Sequence, residues 1–293
     1  MECRYPERVL RTKALRSSSL RLLNDRDRAE VLALCDRDPV VNVFVSSRVH
    51  EAGLDPVRLG GQMWGFVPGG RLTSLCYAGA NLVPVAATPE AVTAFAGRAR
   101  LQGRRCSSIV GPAQAISDLW DLLRPYWGHP REVRDAQPVM AISAAPHAAP
   151  DPLVRRVRPE ELSVLLPASV AMFTEEVGVS PLGPDGGSAY RARVGELIGA
   201  GRAFARIEDG QVMFKAEIGA VTPRVCQVQG VWVRPELRGR GLAIAGMAAV
   251  VQEALRSIAP VVSLYVNDFN APARAVYRRV GFTETATLMS VLF

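Results

Sequence analysis

The spacing of apolar residues changes period along the chain, and each change delimits a predicted element. Pro159 to Phe173 is helical in pattern, Thr174 to Ser188 is a glycine- and proline-rich loop, and Tyr190 to Gly199 reads as a second helix. Arg202 to Ile207 and Gln211 to Gly219 read as a hairpin about Asp209-Gly210, the preferred chemistry of a tight reversal. Within the second run Val212, Phe214, Ala216 and Ile218 alternate with Met213, Lys215 and Glu217, which puts Glu217 on the polar face of a mid-sheet strand. Val225 to Val233 is the next strand. Leu242 to Leu255 lacks proline, is rich in Ala, Leu and Met, and predicts a helix. Val261 to Val266 is an apolar run suited to a buried parallel strand. Ala271 to Val280 lines up Ala273, Val276, Tyr277 and Val280 on one helical face, and a strand pair is expected from Phe282 to Phe293.

The first half carries a fainter version of the same order. Asn24 to Cys35 predicts a helix, and the hairpin-like runs Gln62 to Val67 and Thr73 to Ala87 precede a helix over Pro89 to Arg100. Ser107 to Val110 reads as a strand, Gln114 to Leu123 as a helix and Val139 to Ile142 as a strand. Between the halves, Ala144 to Pro152 holds three prolines in a run that forms neither helix nor central strand. The division expected is a flexible tail over 1–18, a first unit over 19–143, a linker over 144–152 and a second unit over 153–293, related by tandem duplication.

Chemistry concentrates in the second unit, at Val231 to Ala243. A β-run containing Trp232 is stopped by Pro235, an Arg-Gly-Arg-Gly corner follows from Arg238 to Gly241, and the helix starts at once. Gly239 and Gly241 allow backbone geometry that a Cβ forbids, and a helix start leaves N–H groups unpaired, so the corner describes a phosphate cradle. Gly230 marks the place for a bulge that would splay its strand from the Val261 to Val266 strand. At the corresponding place the first half has Ala87-Thr88-Pro89-Glu90, a helix cap with a carboxylate where a phosphate would sit. No phosphate site is expected there.

Composition narrows the picture further. With 293 residues, 48% of them apolar, the chain can build two cores. The net charge of +7 is arginine charge interspersed with acids, with lysine only at Lys13 and Lys215, so a nucleic-acid surface is not expected and an anionic cofactor accounts for part of the excess. Five cysteines are odd in number and widely separated, and three histidines are scattered, so neither a disulfide framework nor a metal site is implied. A reducing cytoplasm fits that usage, and no apolar stretch reaches the roughly 18 to 20 residues of a membrane span.

Two motifs in order, V-x-P-E-L-R-G-R-G-L-A and L-Y-V-N-D-F-N-A-P-A-R-A-V-Y-R-R-V-G-F, resemble the GNAT superfamily of acetyl-CoA-dependent N-acetyltransferases. Arg238, Gly241 and Ala243 match its pyrophosphate loop; Asn270, Ala273, Tyr277, Gly281 and Phe282 match its second signature. The resemblance covers 153–293 well, and 19–143 would be a degenerate copy, as in two-domain members. It implies an α+β fold: two domains, each a mixed, mostly antiparallel twisted sheet flanked by helices, with splayed central parallel strands in the C-terminal one. It also implies acetyl-CoA as cosubstrate, held by Val231, Trp232, Val233, Arg238, Gly239, Arg240, Gly241, Leu242, Ala243, Asn270 and Ala273, and an amine acceptor, small molecule or peptide, attacked directly. Tyr277 would protonate the departing thiolate, which suits a phenol of pKa about 10.

A base must deprotonate the acceptor, and Glu217 is the first choice, against an ion pair at a sheet face; Glu175 and Glu176 are alternatives. Cys226 reads as a buried apolar residue. A dinucleotide fold fails because Ile244 stands at its third glycine position, and a Walker loop because no Gly-Lys dipeptide exists. The expected protein is a cytoplasmic monomer or homodimer; the rival reading is a non-catalytic acetyl-CoA sensor or scaffold.

Overall fold

A computed structural model describes residues 19–183 and 186–293; the tail expected over 1–18 lies outside them. The first half runs β1 (Leu20–Leu22), α1 (Arg28–Cys35), α2 (Val43–Ala52), α3 (Pro56–Leu59), β2 (Gly61–Phe66), β3 (Ser74–Gly79), β4 (Asn81–Val85), α4 (Pro89–Gln102), β5 (Ser108–Pro112), α5 (Ala113–Trp127) and β6 (Glu132–Ile142). The second runs β7 (Arg155–Arg156), α6 (Leu162–Val177), α7 (Ser188–Gly199), β8 (Ala203–Glu208), β9 (Gln211–Val221), β10 (Cys226–Val233), α8 (Leu242–Ser257), β11 (Val262–Tyr265), α9 (Ala271–Val280) and β12 (Thr283–Leu292). Element for element the second order repeats the first, apart from one extra short helix in the first half. The fold is α+β, with helices flanking a mixed, mostly antiparallel sheet. Among the described residues no helix is long and apolar enough to cross a membrane.

Among the described residues all the strands form one 12-stranded sheet in the order β1-β2-β3-β4-β5-β12-β6-β11-β10-β9-β8-β7. The two final strands are exchanged. β12 pairs with β5 of the first half, β6 pairs with β11 of the second, and the two pair with each other in the middle. The cores follow the strands: Met140 and Ile142 of β6 pack with Phe214, Met247 and Val250, whereas Met289 and Val291 of β12 pack with Trp64, Phe95 and Leu119. Each such side chain is worth about 1.5–3 kcal/mol of burial, so each half draws several kcal/mol from the other's last strand. The linker is irregular but docked on the second half, through His147 N–H to the Val280 carbonyl (2.9 Å), Asp151 N–H to Ala245 (2.9 Å) and the Asp151–Arg206 ion pair (2.9 Å).

The strand pair expected over Phe282 to Phe293 is a single strand, because no glycine, proline or asparagine interrupts Thr283–Leu292. Likewise α6 does not stop at Phe173. It runs on to Val177 and ends at Gly178, whose φ of 77° is the left-handed cap that terminates helices. Glu175 and Glu176 therefore stand on the last helical turn, not in a loop. The hairpin turn is as expected, with Asp209 and Gly210 at φ 48° and 71°.

Candidate active site

Between β10 and β11 the sheet opens. The two strands run parallel and pair only at Cys226 with Val262 and Gln227 with Ser263. Beyond that point β10 is deflected by a bulge: Gln229 pairs with Glu217 and Trp232 with Lys215, so three steps on β10 face two on β9. Gly230 sits inside the bulge at φ 60°. A Cβ there would lie 3.1 Å from Met172 Cε, 3.2 Å from Glu217 Oε2 and 3.3 Å from Lys215 Nζ, so glycine meets both a conformational and a spatial demand. Val231 has no partner in the β9 ladder, and its side chain and that of Val233 pack toward the α8 core, whereas Trp232 packs toward α6 and α7. In the first half β4 and β5 also pair at only two positions, Asn81 with Ser108 and Leu82 with Ile109. Splay is thus common to both halves, but there Pro84 occupies β4 and packs 3.4 Å from the Cβ position of Gly111.

After β10 a single helical turn, Pro235–Leu237, carries the chain to the glycine corner. Gly239 and Gly241 have φ 76° and 84°, and nothing lies within 4 Å of a Cβ at either, so backbone geometry alone selects glycine. The N–H groups of Gly239, Arg240, Gly241, Leu242 and Ala243 donate to no described residue, because intrahelical pairing starts with Ile244 N–H on the Gly241 carbonyl (3.0 Å). Five successive open amides at the start of a 16-residue helix form an anion cradle. The first half has no equivalent: Thr88 Oγ1 accepts from Ala91 N–H (3.3 Å), and Glu90 lies in the first turn.

Arg238 departs from the sequence expectation. Its own amide donates to Pro235 (3.2 Å), its guanidinium Nε to the Val233 carbonyl (3.0 Å), and its other nitrogen pairs with Glu175 Oε2 at 2.7 Å. Glu175 also accepts from Trp232 Nε1 (3.2 Å), so one carboxylate at the end of α6 bridges two residues expected to hold the cofactor. The open cradle begins at Gly239, and the Val233 carbonyl is already engaged. Asn270 is likewise committed, since its Oδ1 caps α9 through Ala273 N–H at 3.2 Å.

Tyr277 is where the helical pattern put it, on the buried face of α9, 7% exposed, edge-on to Phe282 with ring centroids 6.0 Å apart. Its hydroxyl has no hydrogen-bond partner among the described residues. Burial, with the Glu176 charge added, raises its pKa above the ordinary phenol value. Glu217 is not free on a polar face. It is buried 2.6 Å from the fully buried Lys215 ammonium, in an ion pair off the hydrogen-bond axis. Its first-choice role as a base meets the objection that one of its oxygens is already held.

Glu176 is the residue the sequence undervalued. Its side chain is open to solvent, while desolvation by surrounding protein raises its carboxyl above the ordinary range, partly offset by Arg134 and Lys215. Its charge acts on Tyr190 and Tyr277, each raised chiefly by burial. The signal was legible in Gly178 as a helix terminator, which would have drawn α6 through Glu176. Cys226 is buried and its thiol is pushed up to about 12, so it is not a nucleophile at neutral pH. Among the described residues no group of three or more His, Cys, Asp or Glu is placed to hold a metal ion.

Residues 170–282 match the model of the acetyltransferase (GNAT) family, and residues 61–165 match a domain of unknown function, DUF4081. No curated protein matches the chain. Among solved structures, a Drosophila protein is 15% identical with a TM-score of 0.65, covering 94% of this chain and 99% of its own. A GCN5-related N-acetyltransferase from Sphaerobacter thermophilus is 17% identical, TM-score 0.57, covering 93% and 95%. A tandem GNAT protein of the clavulanic acid biosynthesis pathway is 16% identical, TM-score 0.55, covering 93% and 98%. At these identities the likeness is one of fold, and it extends over both halves.

Proposed function

We propose that the chain moves an acetyl group from acetyl-CoA to a primary amine through its second half, a reading supported by the match of residues 170–282 to the model of the acetyltransferase (GNAT) family. One observation carries the reading: a row of open amides at the start of α8 stands beside a sheet parted at a bulge, with an unpartnered tyrosine hydroxyl on the neighbouring helix. The amides of Gly239 to Ala243 and the Arg240 side chain suit a diphosphate. The parted strands suit an extended arm lying against β10 as an added strand. Arg238 shares its guanidinium with Glu175 and the Val233 carbonyl, so a phosphate would compete with that carboxylate for its charge.

Direct transfer asks the protein for one proton acceptor and one proton donor. The acceptor ammonium loses a proton, the freed nitrogen bonds to the acyl carbon and sheds its second proton to the same base or to water, and the carbon–sulfur bond breaks with its electron pair on sulfur, which takes a proton from the donor. Glu176 suits the first proton, because it is open to solvent and its raised pKa makes it a better base than an ordinary carboxylate. Glu217, bound to Lys215, is the second candidate. Tyr277 suits the last step, because burial keeps its proton on until a thiolate develops. We take 19–143 and 153–293, joined by 144–152, as the two units, with the first a non-catalytic copy.

The test is a melting curve with acetyl-CoA, paired with a thiol-release assay over peptide N-termini, lysine side chains, polyamines and aminoglycosides. At a hundredfold excess over Kd the ligand adds about 2.7 kcal/mol, and Gly241→Glu abolishes that gain by placing a carboxylate and a Cβ in the cradle. No shift with acetyl-CoA, CoA or longer acyl-CoA overturns the reading; a shift with no thiol release for any amine favours a non-catalytic binder.

A further inference from the structure

The exchanged strand β6 carries one side chain across to the second half's site. Arg134 is almost buried, its side chain 9% exposed, and Glu132 holds it by two hydrogen bonds, Nε to Oε1 at 2.9 Å and a terminal nitrogen to Oε2 at 3.1 Å. The same terminal nitrogen donates to the main-chain carbonyl of Glu176 at 2.8 Å. That carbonyl belongs to the last turn of α6, where helical oxygens lack intrahelical donors and where a cation is favoured by the helix dipole. The last i→i−4 bond of the helix is from Gly178 N–H to the Thr174 carbonyl at 2.9 Å, so the Glu176 oxygen beyond it has no donor in that ladder. Arg134 is therefore the C-terminal cap of the helix that presents Glu176, and it comes from the other half of the chain.

We propose that Arg134 is a positioning residue for Glu176: the first half takes part in the second half's chemistry by lending the strand that caps α6. The inference rests on the reading of Glu176 as the proton acceptor. The groups around that carboxyl are Lys215 and Glu217 on β9, Tyr190 on α7, Tyr265 on β11, Tyr277 on α9, Arg134 and Glu132 on β6, and Glu175 beside it, already tied to Arg238. Arg134 and Lys215 are the two cations that act on Glu176, and Lys215 is paired with Glu217. Loss of Arg134 removes one of these two cations and leaves the α6 end uncapped.

The experiment titrates the Glu176 carboxyl by carbon NMR in the substrate-free full chain, assigned by difference against Glu176→Gln, in wild type, Arg134→Gln, Arg134→Lys and Glu132→Gln. The midpoint should rise by at least ~0.5 unit in Arg134→Gln, with the lysine variant restoring most of the change. If thiol release is measurable, the acidic limb of its pH profile should move the same way, while the acetyl-CoA melting shift stays within about 1 °C of wild type. An unmoved midpoint in folded Arg134→Gln overturns the proposal. If that variant does not fold, Glu132→Gln decides: it leaves the guanidinium charge unneutralised while the bond to the Glu176 carbonyl still holds it, so the midpoint should fall, and no change overturns the proposal. An acidic limb that survives in Glu176→Gln would instead sink the choice of base, a failure separate from an unmoved carboxyl midpoint.

Discussion

Replacing Gly230 by alanine tests whether the parted strands depend on this bulge. The residue sits at φ 60°, where an L side chain costs about 1–2 kcal/mol. Its new methyl would lie 3.1 Å from Met172 Cε, 3.2 Å from Glu217 Oε2 and 3.3 Å from Lys215 Nζ. The methionine end can swing away, but the ion pair is buried and neither charge has water to retreat to. Overpacking of that kind adds about 1–2 kcal/mol, for a total of roughly 2–4 kcal/mol. Gly239→Ala is the control, because φ is 76° there and nothing lies within 4 Å of the added carbon, so only the backbone cost of about 1–2 kcal/mol applies. Urea denaturation of both variants and wild type at pH 7 reads the two losses, with unchanged m values required for the comparison. Equal losses, or a loss below about 1 kcal/mol in Gly230→Ala, would refute the argument that packing as well as backbone shape reserves that position for glycine.

Three further outcomes are expected. Tyr277→Phe should slow thiol release about tenfold to a hundredfold while the acetyl-CoA melting shift persists; unchanged turnover removes the hydroxyl from the mechanism. Glu175→Gln should tighten acetyl-CoA binding by up to about fivefold at low salt, because the half-exposed Glu175–Arg238 pair is worth at most about 1 kcal/mol and competes with the phosphates. Weaker binding in calorimetry would show that the pair helps to build the site. Glu161, held to about 2 by Arg155 and Arg158, lies below its unfolded value, so its contribution is present above about pH 4.3 and is lost as pH falls toward 2. Glu161→Gln should cost about 2 kcal/mol at pH 7 and flatten the acid limb of stability; parallel curves down to pH 2 would contradict the assignment.

Local chemistry was readable wherever one residue type answers one demand. The open amides follow from Gly239 and Gly241 ahead of an alanine-rich run, the bulge from Gly230 in a β-run, and α9 from its apolar face and the Asn270 cap. Partnership between distant strands was not readable. The apolar run Val139 to Ile142 predicts a strand, yet nothing in it says that it joins β11 rather than β5. The sequence shows that strand only over Val139 to Ile142, because the polar groups of Glu132 to Gln137 find partners only within the fold, in the Arg134–Glu132 clamp and the Gln137 bridge from Ser290 to Asn267. Arg134 escapes a sequence reading because its role lies in a contact that exists only once the strands are exchanged, whereas Glu176 is named there but ranks below Glu217 because the helix end at Gly178 goes unread.

The crossed strands also set an order of events during synthesis. When the ribosome has made the first half, the β5 edge and the core beneath Trp64 and Phe95 still wait for Thr283–Leu292, which is translated after every other strand of the sheet among the described residues. The second half, by contrast, finds β6 already made when β11 emerges. Completion therefore runs backwards along the chain: the later half can close first, and the earlier half closes only with β12. Until then an unpaired edge is exposed to other nascent copies, and the natural mispairing is a second chain's β12 in place of its own, which would join two molecules by the same strand that normally joins two halves.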